Sequence, residues 1–287
     1  MILAHNYQPP DIQDIADFCG DSLGLSINAS KTDAQTIVFC GVEFMAETAA
    51  ILSPQKTVLL PDRFAGCPLA DMITAEQLRR LKLKHPDALV VCYVNSSAEV
   101  KAESDYCCTS ANAVEVVSSL PKDRPVIFVP DQHLGRFVMD KAGRDLVLWP
   151  GYCPTHVVIT IDDITNARAK YPDAILMAHP ECTEPVKDLA DQILSTGQML
   201  KFVKNSPAKR FIVATEIGII HALKKQNPNA EFVPASERAV CPNMKKITLD
   251  KVIMALEDMQ YKVTVPEEIR TKAKKSLDRM VEILPEK

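Results

Sequence analysis

Three Cys-Pro pairs are prominent among the residues of the sequence that could carry chemistry. Cys67, Cys153 and Cys241 are each followed by proline, and they lie 86 and 88 residues apart in the 287-residue chain. Thiolates are soft ligands that bind zinc or iron–sulfur clusters. No CxxC pair occurs among the nine cysteines, which argues against a zinc ribbon or a thioredoxin-type site. The ligands of one metal site would therefore come from distant parts of the chain.

A cuboidal cluster on these three cysteines would leave one iron without a protein ligand. Such an iron can bind a substrate oxygen and act as a Lewis acid. The sequence thus predicts one [4Fe-4S] cluster with an open iron on Cys67, Cys153 and Cys241. Two alternatives stay open at this point, namely a three-cysteine zinc site and a set of buried structural thiols.

Polar residues that suit acid–base chemistry follow apolar runs at three equivalent places. Each run ends at a histidine or a tyrosine, and a second polar residue follows two positions later. Histidine titrates near neutral pH, and a buried glutamate can act as a general base. We expect these residues to face one substrate. They are His5, Tyr7, Tyr93, Asn95, His179 and Glu181.

A small hydroxyl residue recurs 17 positions after the first polar residue of each pair, as Ser22, Ser110 and Thr196. Each precedes a helical pattern, as is typical of a helix N-cap. Free N–H groups and the helix dipole make helix N-termini suitable for binding carboxylates and phosphates. Beyond simple capping, the threefold placement predicts that these residues bind the anionic groups of a substrate.

An aspartate recurs 12 positions after the same starting points, as Asp17, Asp105 and Asp191. Each precedes a short apolar run, and we expect a structural role in which the carboxylate accepts hydrogen bonds from loop N–H groups. The remaining cysteines have no symmetric counterparts. The adjacent Cys107 and Cys108 are therefore assigned no role.

A threefold internal repeat underlies these coincidences. Each copy contains short apolar strands that alternate with helical patterns, which is typical of a parallel sheet covered on both faces. The predicted fold class is α/β, with three three-layer αβα domains, each with a small parallel sheet, related by a pseudo-threefold axis around a central cavity. These domains are predicted over residues 1–84, 85–170 and 171–246.

The last segment, residues 247–287, lies outside the repeat. Its pattern predicts a helix, a strand and a second helix, with Thr248 as the N-cap of the first. The second helix has one apolar face and many basic residues, so it is expected to close the fold as an amphipathic helix. We expect the segment to pack on the first domain.

The composition narrows the class of function. The chain is 47% hydrophobic and 24% charged, and its formal net charge is −4. The slightly acidic balance gives nucleic-acid binding little support. No apolar run approaches the roughly 20 residues that span a membrane, and no charged-then-apolar leader opens the sequence. A cytoplasmic enzyme is therefore expected.

Long motifs along essentially the whole chain resemble those of the quinolinate synthase family, the A protein of NAD biosynthesis. The motifs are ILAHNYQPPDIQDIADFCGDSL, YVNSSAEVKAESDYCCTSANAVEVV, AHPEC, STGQM, TEIGIIHALKK and CPNMKK. Members of this family condense iminoaspartate with dihydroxyacetone phosphate, and they release phosphate and water as quinolinate forms. The resemblance implies this activity, together with a [4Fe-4S] cluster whose open iron is the Lewis acid.

The resemblance also implies roles for individual residues. The cluster cysteines of the family match the three cysteines of the Cys-Pro pairs. Its substrate-binding positions match His5, Ser22, Tyr93, Asn95, Ser110, His179, Glu181 and Thr196. Tyr7 matches a tyrosine implicated in handling the triose phosphate. The expected catalytic residues are Glu181, His179, Tyr7 and His5.

The expected partners are the two small-molecule substrates, with functional coupling to an enzyme that supplies iminoaspartate, either L-aspartate oxidase or aspartate dehydrogenase. Family members usually carry a helix and a lysine-rich segment before the strand that ends in His5, and this sequence departs from the family pattern at its start. The nearest alternative function is that of a three-domain [4Fe-4S] enzyme of the diphthamide-synthesis type, which binds S-adenosylmethionine at its open iron.

Overall fold

Three four-stranded sheets organise the computed structural model, which describes residues 1–283 of the chain. The first sheet contains β1 (Ile2–His5), β2 (Phe18–Gly20), β3 (Thr36–Cys40) and β4 (Thr57–Leu59). The second contains β5 (Leu89–Tyr93), β6 (Tyr106–Cys108), β7 (Val126–Val129) and β8 (Val147–Leu148). The third contains β9 (Ile175–Ala178), β10 (Gln192–Ile193), β11 (Arg210–Ala214) and β12 (Glu231–Pro234). Each sheet, with the helices around it, is called a unit below.

Helices connect and cover the strands. The first half of the chain contains α1 (Pro10–Ile15), α2 (Ser22–Lys31), α3 (Glu43–Leu52), α4 (Ala75–Lys84), α5 (Ala98–Ala102), α6 (Ala113–Ser118) and α7 (Gln132–Ala142). The second half contains α8 (Pro154–Val157), α9 (Ile161–Lys170), α10 (Glu184–Asp188), α11 (Thr196–Asn205), α12 (Ile219–Gln226), α13 (Leu249–Asp258) and α14 (Glu267–Glu282). Two 3₁₀ turns lie at Ala70–Met72 and Met244–Lys246. Among residues 1–283, no helix is long and apolar enough to cross a membrane.

All three sheets are parallel and have the same strand order. The orders are β2-β1-β3-β4, β6-β5-β7-β8 and β10-β9-β11-β12. The predicted α/β fold class with three small parallel sheets is therefore confirmed, while the exact domain boundaries stay a prediction. In each unit the chain reverses its winding between the first and third strands. The crevice beyond the carboxyl ends of those strands is where open α/β sheets bind ligands.

Alternating side chains bury both faces of the sheets. In β1, Leu3 packs into the large core that extends through all three units, while Ala4 packs into a smaller core on the opposite face. Ile37 and Val38 of β3 divide between the same two cores. Successive residues of a strand point to opposite faces, so continuous apolar runs are required where helices cover both sides.

An aspartate holds the amino end of the first strand in every unit. Its carboxylate accepts a hydrogen bond from the N–H of a residue in that strand. The structural role expected from the sequence is therefore confirmed, but the donors lie in strands and not in loops. The pairs are Ile2 N to Asp17 Oδ2 at 2.7 Å, Val90 N to Asp105 Oδ2 at 2.8 Å and Leu176 N to Asp191 Oδ2 at 2.7 Å.

The C-terminal segment contacts two units rather than the first alone. α13 begins at the predicted cap Thr248 and packs on the first sheet, where Val252 joins the core around Ala4. The predicted strand is reduced to an antiparallel bridge between Lys262 and Leu59. α14 then reaches the second unit, and Ser276 Oγ donates a hydrogen bond to the carbonyl oxygen at the end of α5. The apolar face of α14 thereby covers the second sheet.

Candidate active site

One cavity collects the carboxyl ends of the three sheets. His5 ends β1, Tyr93 ends β5 and His179 directly follows β9, and all three line this cavity. The other predicted site residues that line it are Tyr7, Ser22, Cys67, Asn95, Ser110, Cys153, Glu181, Thr196 and Cys241. The structure therefore brings together every residue that the sequence assigned to substrate binding, catalysis or metal binding.

The three cysteines of the Cys-Pro pairs reach the cavity from three different units. Burial raises the pKa of the Cys67 thiol to about 12, and nearby Cys241 and Glu181 act in the same direction. Burial, Glu181 and Cys67 likewise raise the pKa of Cys153. Within residues 1–283, no fourth cysteine lines the cavity. This donor set fits a cuboidal cluster that has one iron without a protein ligand.

The cavity also contains a compact group that could bind a single metal ion. One ligand atom each of Cys153, His156 and Glu181 lie within 4.8 Å of one another. The residues that line the cavity thus include a possible metal-binding group, and thiolate, imidazole and carboxylate are the usual ligands of transition metals.

A continuous chain of polar contacts joins a phenol to a carboxylate across the units. Tyr7 OH lies 2.6 Å from Thr215 Oγ1, which lies 2.8 Å from His156 Nε2. On the other side of the ring, His156 Nδ1 lies 2.9 Å from Glu181 Oε2, although the two atoms are not aligned as a hydrogen bond. All four side chains are buried. We call this set the Tyr7–Glu181 chain.

Glu181 is ionised in spite of its burial. Burial alone would raise its pKa, but the contact with His156 lowers the pKa to about 2. The amide of Asn95 donates to Oε1 at 3.4 Å. At the other end of the chain, burial and the charge of Glu181 raise the pKa of Tyr7 well above its ordinary value. Before substrate reacts, the Tyr7–Glu181 chain therefore has a protonated phenol at one end and a carboxylate at the other.

Two histidines at equivalent strand ends are held in the same tautomer. His5 Nδ1 accepts the N–H of Tyr7 at 3.2 Å, and His179 Nδ1 accepts the N–H of Glu181 at 3.3 Å. A backbone N–H is always a donor, so each Nδ1 lacks a proton and Nε2 carries it. Burial lowers the pKa of both rings to about 3. Both histidines are therefore neutral hydrogen-bond donors at neutral pH.

The hydroxyl residues lie near helix N-termini, but they are not the caps. Ser22 and Thr196 are the first residues of α2 and α11, and the residue before each accepts the capping hydrogen bond. Asp21 accepts from Gly24 N at 2.8 Å, and Ser195 serves α11 in the same way. The expectation that the recurring hydroxyls cap the helices is wrong for these two, because an earlier side chain satisfies the N–H groups. The hydroxyls of Ser22 and Thr196 do not serve as caps, and both residues line the cavity.

The second unit departs further from the expected cap. Ser110 lies three residues before α6, whose N-cap position is occupied by Asn112 without a side-chain capping bond. The amide of Asn112 instead donates to the carbonyl oxygens of Met280 and Ile283, at 3.0 and 2.7 Å. Asn112 Oδ1, the atom that could cap α6, accepts the N–H of Thr109 at 2.8 Å.

The interpretation of the sequence missed His156 and Thr215, which complete the Tyr7–Glu181 chain. It also missed Glu216 and Lys245, which lie beside the cavity. Signals for these residues were present, because His156 follows Cys153 by three positions, and Thr215 opens the TEIG motif. Neither signal is periodic, so the strand and helix patterns gave no reason to select them.

Comparisons with known proteins agree with these observations. The sequence model of the family described as "Quinolinate synthetase A protein" matches residues 1–282. The quinolinate synthase of Dehalococcoides mccartyi is 57% identical over 284 residues, which cover 99% of this chain and 94% of that protein. Those of Geobacter metallireducens and Methanosarcina barkeri are 56% and 54% identical over 283 residues, with 99% of this chain and 93% of each relative covered. These matches do not favour the S-adenosylmethionine-dependent alternative, and the chain belongs to the quinolinate synthetase A protein family.

Proposed function

We propose that this chain condenses iminoaspartate with dihydroxyacetone phosphate to form quinolinate, with loss of phosphate and water. The observation that carries this proposal is the meeting of three thiols and the Tyr7–Glu181 chain in one cavity of a family member. The substrates offer carboxylates, a phosphate, carbonyl and hydroxyl oxygens, and an imine. The cavity offers donors, a carboxylate and a proton path that suit these groups.

The proposed cofactor is a [4Fe-4S] cluster held by Cys67, Cys153 and Cys241. When bound, the cluster supplies a Lewis-acidic iron that polarises substrate oxygen and favours dehydration. The assignment uses all three cysteines that recur in the repeat and that line the cavity. A single ion on Cys153, His156 and Glu181 would leave the other two thiols without a role.

In this proposal the Tyr7–Glu181 chain moves a proton from the phenol. Thr215 can pass the proton of Tyr7 to His156 Nε2, since both contacts are shorter than 3 Å. The ionised Glu181 beside Nδ1 then stabilises the imidazolium that forms, as a carboxylate does beside a catalytic histidine. Because burial and Glu181 raise the pKa of Tyr7, the resting phenol holds its proton, and the phenolate formed by this transfer is a strong base toward the substrate.

The neutral histidines and the second unit are proposed to orient the substrate. His5 and His179 donate Nε2–H to substrate oxygens, and His179 exchanges protons with the substrate together with Glu181. Tyr93 and Asn95 orient the intermediate. Asn95 Oδ1 is buried and has no hydrogen-bond partner within residues 1–283, so it is an acceptor available to a bound ligand.

Ser22, Ser110 and Thr196 are proposed to bind the carboxylate and phosphate groups. Ser22 and Thr196 open ten-residue helices, whose first N–H groups and dipoles favour anions. Thr196 Oγ1 already accepts a hydrogen bond from Asn6 Nδ2 at 3.1 Å, which orients the hydroxyl proton toward another acceptor. The N-termini of these two helices adjoin, since a Cβ atom at Gly197 would lie 2.3 Å from Asp21 Oδ2.

The proposal includes a cytoplasmic location and a dedicated source of iminoaspartate. Imines hydrolyse in water, so the substrate must be formed close to its consumption. An L-aspartate oxidase or an aspartate dehydrogenase would supply it. Functional coupling to such an enzyme predicts that quinolinate forms faster from aspartate when both enzymes are present than when they act in succession.

An anaerobic assay tests the proposed function directly. Reconstituted protein is given iminoaspartate and dihydroxyacetone phosphate without S-adenosylmethionine, quinolinate is measured, and iron is counted in the same sample. We expect quinolinate from the wild type and none above background from Cys67→Ser. Cys19→Ser is the matched control, because Cys19 does not line the cavity, and it should retain both iron and activity. Iron-loaded wild type that forms no quinolinate would refute the proposal.

A further inference from the structure

Two motifs, TEIG and CPNMKK, meet at an ion pair between a buried carboxylate and a partly exposed lysine, and the proposed chemistry does not use this pair. Glu216 is fully buried, and its Oε1 lies 2.8 Å from Lys245 Nζ. The same carboxylate accepts the N–H of Cys241 at 3.1 Å and the N–H of Gly218 at 2.7 Å. A buried carboxylate is costly unless it is paired and hydrogen-bonded. Three donors, two of them backbone groups, satisfy this one.

Lys245 extends the contact to the first unit. Its Nζ also donates to the carbonyl oxygen of Tyr7. The ion pair therefore links the backbone of Cys241, in the third unit, to the backbone of Tyr7, in the first unit. We call Glu216, Gly218 and Lys245, with these two backbone groups, the Glu216 hub.

Gly218 lets the three segments of the hub approach closely. A Cβ atom at this position would lie 2.6 Å from both Lys245 Nζ and the carbonyl oxygen of Tyr7, and 2.7 Å from Glu216 Oε2. Real Cβ contacts are not that short, so any side chain here would separate the segments. The hub is thus packed so tightly that a shift of one segment moves the others.

The repeat does not require this arrangement. The residue two positions after the third strand of each sheet is Val42, Asp131 or Glu216. Val42 is apolar, and Asp131 caps its own helix by accepting from Leu134 N at 2.7 Å. Among residues 1–283, only the third unit uses this position to hold the backbone of a cavity-lining cysteine. A role in folding the repeat would be expected in all three units.

We propose that the Glu216 hub positions Cys241 relative to Tyr7, so that Glu216 and Lys245 are positioning residues of the reaction. The inference rests on the proposed function, in which Cys241 is a cluster ligand and Tyr7 a base. Outer partners that orient metal ligands contribute strongly to metal affinity and activity. Misplacement of reacting groups by about 1 Å can lower a rate roughly 100-fold.

Glu216→Gln is the first test. An amide has one acceptor oxygen for the three donors, so at least one backbone N–H would face an NH₂ group. We expect the anaerobically reconstituted variant to release iron to a chelator about 10- to 100-fold faster than the wild type. We also expect kcat to fall with little change in KM, because the hub does not contact the cavity's proposed anion-binding hydroxyls.

If Glu216→Gln folds poorly, the proposal is tested with Lys245→Met and with the double variant that combines Glu216→Gln and Lys245→Met. Lys245→Met removes the contact to Tyr7, and the double variant removes both charges without leaving one buried alone. If the pair acts as a unit, the double variant should release iron no faster than the more labile single variant. Glu231→Gln is the matched control, because Glu231 forms an exposed ion pair with Arg210 in the same sheet. It should behave like the wild type.

The outcomes separate the hub from the proposed function. Wild-type protein that binds no cluster would refute the proposed function and the hub with it. Cluster-bearing, active wild type, with hub variants that release iron at the wild-type rate and keep kcat, would refute the hub alone. A lower unfolding temperature with unchanged iron release and kcat would also refute it, because the ion pair would then be merely structural. Faster iron release and lower kcat in both single variants would support it.

Discussion

The two ends of the three sheets differ in how well they preserve the threefold repeat. At the amino ends, each unit has the same aspartate-to-strand hydrogen bond, with distances of 2.7, 2.8 and 2.7 Å. At the carboxyl ends, the equivalent residues are His5, Tyr93 and His179. The repeat is thus preserved where it holds strands together, and it has diverged where side chains face the cavity.

The divergence at the carboxyl ends is itself ordered. The first and third units share a histidine whose Nδ1 accepts the N–H two residues later. The residue that carries that N–H differs, as Tyr7 in one unit and Glu181 in the other. These two side chains are the ends of the Tyr7–Glu181 chain. The pseudo-symmetry therefore places a protonated phenol at one end and a carboxylate at the other. Substitutions at the carboxyl ends should therefore affect chemistry, and those at the amino ends should affect stability.

The largest expected effect is that of Glu181→Gln at the carboxyl end of the third unit. The amide cannot stabilise a charged His156, so turnover should fall about 10²- to 10⁴-fold, while the iron content stays at the wild-type value. Steady-state kinetics and iron analysis of one preparation measure both. Glu184→Gln, which changes a partly exposed carboxylate three residues away, should be nearly silent. Unchanged turnover in Glu181→Gln would remove this residue from the mechanism.

Thr215→Val should have the next largest effect. Valine has a similar shape but no hydroxyl, so Tyr7 OH and His156 Nε2 lose their short hydrogen bonds to Thr215 and are left with their direct contact of 3.4 Å. The loss of a buried hydrogen-bond partner costs about 1–3 kcal/mol, which corresponds to a kcat lower by roughly 5- to 150-fold. Thr215→Ser restores the hydroxyl and should recover most of the rate. If the valine and serine variants have equal kcat values, the threonine does not carry a proton.

Asp105→Ala tests the amino end of the second unit. It removes the acceptor of Val90 N–H, and a lost hydrogen bond to a charged group should lower the free energy of unfolding by about 1.5–3 kcal/mol. Denaturant titration measures this change, and kcat of the folded variant should stay near the wild-type value. Asp123→Ala, in an exposed loop, provides the baseline. A variant with normal stability and strongly reduced kcat would contradict the division between the two ends.

The smallest effect is a pH dependence that originates at the carboxyl ends. Burial lowers the pKa of His5 and His179 from 6.5 to about 3, so between these values the unfolded chain binds more protons than the folded one. The stability should therefore fall as pH is lowered through 6.5, by roughly 0.5–1 kcal/mol per histidine between pH 7 and pH 6. Denaturant titrations at both pH values test this. His179→Gln should reduce the dependence and His85→Gln should not; equal dependence in all three proteins would contradict it.

The sequence predicts the repeated parts of the fold better than the parts that join the units. Apolar runs, the recurring aspartates and the Cys-Pro pairs are periodic, so the sheets and the residues at their ends could be placed in advance. The contacts of α14 with the second unit could not be predicted. An amphipathic pattern shows that one face of a helix is buried, but it does not show which surface that face covers. The strand predicted around Lys262 was shortened for a similar reason, since within residues 1–283 it pairs with the edge of β4 alone.

The residues of the candidate site differ in the same way, because some recur with the repeat and others do not. The positions of Glu181 and His179 recur with the repeat and were predicted, whereas His156 in α8 and Thr215 after β11 have no such recurrence and meet only through tertiary folding. Asp21 took the capping role expected of Ser22 because a carboxylate one residue earlier reaches Gly24 N. Local competition of this kind is decided by the backbone conformation, which a pattern of residue types does not specify.

Counting iron and sulfide per chain tests the central claim most directly. Anaerobically reconstituted wild type should contain about four iron and four sulfide, and replacing Cys67, Cys153 or Cys241 by serine should abolish stable binding in each case. His156→Ala should retain the full iron content. A single metal ion per chain that persists in Cys67→Ser and Cys241→Ser, but is lost in Cys153→Ser and His156→Ala, would contradict the account.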